Sequence, residues 1–107
     1  MSVFALTGGA RIGNFNATFP FATLSFDSSA LHLSCVGRNY HFPRSSIRRL
    51  SRHRGLFSVG LRIEHNQAAL PEFVVFWASM IFWSSAFEKL QRQLEALGYE
   101  IGDPPLV

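Results

Sequence analysis

A single cysteine, Cys35, excludes an intramolecular disulfide and a multi-cysteine zinc site, and its isolation fits a buried thiol in a reducing compartment. The first thirteen residues lack the basic start, apolar run and small-residue cleavage site of a secretory signal, so cytoplasmic residence is the expectation. Long hydrophobic runs are missing too. The longest, Phe73 to Trp83, holds eleven residues where a spanning helix needs roughly 20. Acids are scarce: of seven, five lie after residue 71, which supplies general acid-base chemistry by paired carboxylates poorly. No elbow, oxyanion loop or orienting acid surrounds Cys35, and Gly8-Gly9 is not followed by the Lys-Ser/Thr of a phosphate-cradling loop. His32, His41, His53 and His65 are spread one per expected strand with no short ligand spacing, so neither a metal nor a cofactor is expected. The chain is expected not to be an enzyme.

What is present is aromatic. Eleven Phe, two Trp and two Tyr in 107 residues suit sheets whose rings pack across neighbouring strands, and the length is that of one domain. Phe15, Ala17, Phe19 and Phe21 alternate with small or polar residues, and Pro20 marks an edge or a bend. After the Asp27-Ser28-Ser29 turn, Leu31, Leu33 and Cys35 alternate with His32 and Ser34. Val36 to Asn39 turns the chain into Tyr40, His41 and Phe42. Within Ser45 to Arg54, Ile47 and Leu50 sit three apart while Arg occupies both parities, which reads as a short turn and a bulged strand. Leu61, Ile63 and His65 form a half-buried strand. Phe73 to Trp77 is apolar on both parities, so it is covered on both faces or its outer face meets a partner.

The period then changes. Ser85 to Glu88 is a capping box, Phe87, Leu90, Leu94 and Leu97 follow at helical spacing, and Gly98 stands just past the end of a helix spanning about residues 85–97. Strands followed by one helix disfavour a doubly wound parallel sheet. The expected fold is mainly β (α+β), an antiparallel barrel of six or seven strands capped by one C-terminal amphipathic helix. Residues 1–13 are expected to be a flexible segment, 14–101 the domain and 102–107 a tail.

The stretch Asn16 to Leu24, Phe42-Pro43 before Ile47, Arg54-Gly55-Leu56-Phe57, Gly60 to His65, Pro71-Glu72-Phe73 through Phe76-Trp77, and Leu97-Gly98-Tyr99 together resemble the pleckstrin-homology-like superfold, notably its small bacterial members. The resemblance covers roughly residues 14–101 and implies a fold, with no activity attached to its residues. The basic motif with which lipid-binding members grip inositol phosphates is missing here. Asn14 to Leu33 contains no Lys or Arg, which argues against phosphoinositide recognition.

Charge is unevenly placed. Residues 32–65 carry seven Arg against Glu64 alone, a net of +6, whereas residues 66–107 carry two bases and five acids. Arg44, Arg48, Arg49, Arg52 and Arg54 form the densest run, suited to an anionic ligand such as nucleic acid or a membrane headgroup, or to pairing with acids of the same chain. Phe76, Trp77, Met80, Ile81, Phe82 and Trp83 belong to an uncharged stretch with five aromatics, the candidate interface for a protein partner or a second copy if it is not core. A non-enzymatic binding or assembly module is therefore expected, through protein contacts or self-association, with the Arg surface as the alternative.

Overall fold

Alternating apolar side chains give one face to the core and one to solvent, and the computed structural model, which describes residues 4–54, 59–77 and 84–102, shows that pattern realised. The strands are β1 (Phe4–Ile12), β2 (Phe15–Phe26), β3 (Ala30–Cys35), β4 (Arg38–Pro43), β5 (Ile47–Arg54), β6 (Val59–His65), β7 (Val74–Trp77) and β8 (Ile101–Gly102), with one helix, α1 (Ser84–Ala96). They form a single sheet in the order β4-β3-β2-β1-β7-β6-β5-β8, antiparallel except for the β5–β8 pair. Leu24, Leu31, Leu33 and Phe42 from one half of the sheet and Leu61, Ile63 and Phe76 from the other share one core, so the sheet curves around it. Phe87, Leu90 and Leu94 of α1 close that core.

The helix ends as its sequence dictates. Gly98 takes φ +91°, Tyr99 N–H donates to Leu94 O at 3.1 Å, and Gly98 N–H donates to Glu95 O at 3.0 Å. This is a Schellman ending, and the buried rings and methyls of Tyr99 and Leu94 supply its hydrophobic contact.

Three expectations are corrected. The sheet does not close into a barrel: β4 and β8 are its two edges, and it has eight strands among the described residues. The reason lies along β4. Its two-residue turn at Val36–Gly37 makes Cys35 and Arg38 a bonded pair, so Asn39, His41 and Pro43 aim their backbone groups away from β3. Pro43 has no N–H, its carbonyl accepts from Ser46 Oγ at 2.8 Å, and the His41 carbonyl accepts from Gln67 Nε2 at 2.9 Å. Two outward carbonyls and one N–H position are thereby withdrawn from extending the ladder. Second, the glycine-rich start belongs to the sheet from residue 4 onward. Phe4–Ile12 is an inner strand, and its Gly8 lies so close to Trp77 that an added Cβ would fall 1.7 Å from the Trp77 carbonyl oxygen. Third, Phe76 is wholly buried in the core and presents nothing to a partner.

Pro20 sits at a break in the ladder. Between the pairs Gly8–Ala22 and Ala10–Ala17, β1 has one residue and β2 has four, so Thr18 to Phe21 bulge out of pairing where a missing N–H costs nothing. The β5 bulge is equally purposeful. A register shift between Ile47 and Arg49 lets both Ile47 and Leu50 turn inward while Arg48 and Arg49 are both exposed.

Candidate functional site

Because β8 pairs with Leu50 and Ser51 of β5, the end of α1 is held beside the start of β5. Between them runs an open groove of about 780 Å³ lined by Arg44, Ile47, Arg48, Arg49 and Leu50 on one side and by Glu95 and residues 98–102 on the other. Its apolar surfaces come from Ile47, Leu50, Tyr99 and Ile101, which pack on or belong to the core. Two Arg stand on the β5 wall, and Glu95 and Glu100 stand opposite. That volume lies within the ~300–1,000 Å³ usual for ligand sites.

The structure sorts the Arg run by role. The Arg44 guanidinium donates to Ser28 O at 3.0 Å, to Leu97 O at 3.1 Å and to Gly98 O, and it stacks over the Tyr99 ring at 4.4 Å. Tyr99 Oη in turn donates to Asp27 O at 2.8 Å. Burial pushes the Tyr99 phenol above its ordinary value, so it remains a donor. This clamp ties the helix end to the β2–β3 turn and does by side chains what the open ladder does not. Arg52 is also engaged, donating to Gln91 Oε1 at 3.0 Å with its guanidinium 5.3 Å from the Phe87 ring centre. Arg49 lies in register with Glu64 and close to Gly102. Arg48 makes no hydrogen bond, ion pair or ring contact among the described residues. Arg54 is described in its backbone alone.

The other candidate groups are dispersed. His32 and His41 face each other across β3 and β4 with ring centres 6.0 Å apart, and Asn39 Oδ1 lies 3.3 Å from His32 Nε2. His53 meets the edge of Phe73 at 5.6 Å, and Arg62 and Arg11 flank that ring at 5.3 and 5.8 Å. Burial first, and the Arg62 charge second, hold the His53 imidazole below its ordinary value. His65 is buried and bonded on both nitrogens: Nε2 donates to Pro71 O at 2.8 Å and Nδ1 accepts from Gln67 N–H at 3.1 Å. It sets the loop that carries Gln67. Among the described residues no group of three or more His, Cys, Asp or Glu is placed to hold a metal ion.

Cys35 points into the core, away from His32 and His41 on the opposite face, and burial raises its thiol, the reverse of what activates a nucleophile. Of the candidate interface, Trp77 is half-buried with its indole N–H enclosed and unpartnered among the described residues. Met80, Ile81, Phe82 and Trp83 lie outside the described residues, as does the Ser85 side chain of the capping box. Among the described residues no helix is long and apolar enough to cross a membrane. The groove was not foreseen: its walls are some fifty residues apart in sequence, and only the Arg run hinted at one of them. No family model matches the chain, and no curated protein matches it.

Proposed function

We propose that the chain is a non-enzymatic, cytoplasmic binding module of pleckstrin-homology-like fold that takes a segment of a protein partner into the groove between β5 and the end of α1. The strand order, with β4, β3 and β2 antiparallel beyond β1, β6 and β5 antiparallel beyond β7, and one α-helix after β7 among the described residues, supports the fold reading. The observation that carries the function is the groove itself, a mixed polar and apolar trough with Arg48 and Arg49 on one wall and Glu95 and Glu100 on the other. Such a surface suits a peptide, whose charges are isolated, better than nucleic acid. A polyanion drawn by the Arg wall would meet two carboxylates across the trough. The commitment of Arg44 and Arg52 to internal partners further thins the anion-binding surface. The deep burial of Cys35 supports the non-enzymatic reading and fits a reducing compartment.

The test is an amide footprint of the labelled full chain, titrated with pooled extended hexapeptides. Shifts confined to residues 47–50 and 98–102 are the expected result. Retention on heparin or anionic vesicles that falls steeply with salt and is lost in the Arg48→Ala/Arg49→Ala variant, with no peptide footprint, would replace this reading by that of an anionic-ligand adaptor.

A further inference from the structure

We infer that the segment accepted by the groove carries an acidic side chain next to apolar ones, and that Arg48 is the residue that selects it. The inference rests on the groove reading above and adds the chemistry of its occupant.

The argument begins at the β5 bulge. A regular strand would alternate, sending either Arg48 or Arg49 inward, but the register shift between Ile47 and Arg49 exposes both and re-aims Arg48. Three of the neighbouring Arg are accounted for. Arg44 holds the helix end, Arg52 is tied to Gln91, and Arg49 has contacts within the chain. Arg48 alone of the four described side chains in the run has no partner among the described residues, although it stands at the junction of the groove and a second hollow of about 310 Å³ lined by His65, Gln67, Leu70 and Glu72. An exposed guanidinium beside a trough with apolar patches at Ile47 and Ile101 offers a two-pronged donor to a carboxylate. Glu95 and Glu100 across the trough give the occupant a polarity, with its acid toward β5 and any basic group toward α1. A backbone-led mode is disfavoured, because β8 already covers Leu50 and Ser51, so side chains must do the reading.

The experiment is selection of the full chain against an immobilised, fully randomised synthetic hexapeptide library, followed by affinity measurement on the best binder. The expected result is Asp or Glu enriched at one position flanked by apolar residues. Arg48→Glu should weaken that peptide about tenfold, and replacing the peptide's acid by Lys should restore binding to Arg48→Glu while weakening binding to the unaltered chain. Arg48 is exposed and makes no bond among the described residues, so its variants keep the fold. Binders that footprint on the groove without an acidic preference, or an affinity unchanged in Arg48→Glu, would overturn this inference and leave the groove reading standing. A library that yields no binder, or binders that footprint elsewhere, would overturn both.

Discussion

If the open sheet is held shut by the Arg44–Tyr99 clamp, loosening the clamp should cost stability in a way that reveals its coupling. Arg44→Ala removes bonds to the carbonyls of Ser28, Leu97 and Gly98, and the stack over Tyr99 at 4.4 Å. The carbonyls are at the surface and regain water, so the loss is well below the sum of three charge-assisted bonds at ~1.5–3 kcal/mol each. A cation at a helix C-terminus contributes ~0.3–1 kcal/mol and an exposed cation–π contact ~0.5–1 kcal/mol. With the residual bonding, about 2 kcal/mol is expected, a fall in Tm of roughly 8 °C for a domain of this size. Tyr99→Phe deletes the donor to Asp27 O at 2.8 Å and should cost about 1 kcal/mol. The double variant should cost less than the two singles together by ~0.5–1 kcal/mol, since each loosens what the other holds. Arg44→Lys keeps the charge but not the fork and should recover less than half. Urea unfolding followed by tryptophan fluorescence measures all four. Strict additivity, or an Arg44→Ala variant within ~0.5 kcal/mol of the parent, would refute the clamp.

Three further outcomes are expected. Gly8→Ala drives a methyl to 1.7 Å from the Trp77 carbonyl oxygen, a backbone atom that cannot swing aside, so urea unfolding should show a loss of about 3 kcal/mol or more. Val36, 65 % exposed, holds φ +46° in its two-residue turn, so Val36→Asn should raise stability by about 1 kcal/mol in the same assay, with no burial lost. The His53 imidazole is depressed below 6.5, so the unfolded chain takes up its proton at higher pH than the folded one. Its contribution to stability is therefore intact above pH 6.5 and is lost as pH falls through the folded value. Comparing urea midpoints at about pH 7.5 and pH 5.5, His53→Gln should flatten the decline. Asp27, held below 3.8 by its bonds from Ser29, acts only in more acid solution and does not confuse the comparison.

Much of the sheet was legible because its residues obey one rule each. Leu31, Leu33 and Cys35, and Leu61, Ile63 and His65, are buried at every second position, as alternation demands. The mixed pattern of Ser45 to Arg54 resolves into a turn and a bulge because two apolar residues three apart can share a face only if one extra residue intervenes. What was illegible depends on partners distant in the chain. Gly8-Gly9 looks flexible in sequence, yet Gly8 is there because the Trp77 carbonyl leaves no room for a Cβ. Phe76 looks available and is core, because β6 and the inner strand β1 both lie beside it. The Arg run was visible as charge, but nothing local distinguishes Arg44, which meets three carbonyls, from Arg48, which meets none among the described residues.

The two edges of the sheet bear on how this molecule can associate. An unpaired strand invites another chain through its backbone, and proteins suppress this with proline, short strands and covering loops. Here β4 offers Pro43, which cannot donate, and two carbonyls already taken by Ser46 and Gln67, while β8 is two residues long and runs in sequence into Asp103-Pro104-Pro105. Both edges are blunted, so growth of the sheet between copies is disfavoured by the same bonds that occupy its β4 edge. The loop that supplies Gln67 is itself held by His65 through its two ring nitrogens, which ties edge protection to a buried polar residue of the inner face. A partner that cannot add a strand must be recognised by side chains. On the described surface, the place where apolar floor and charges of both signs converge is the trough between Arg48 and Glu95.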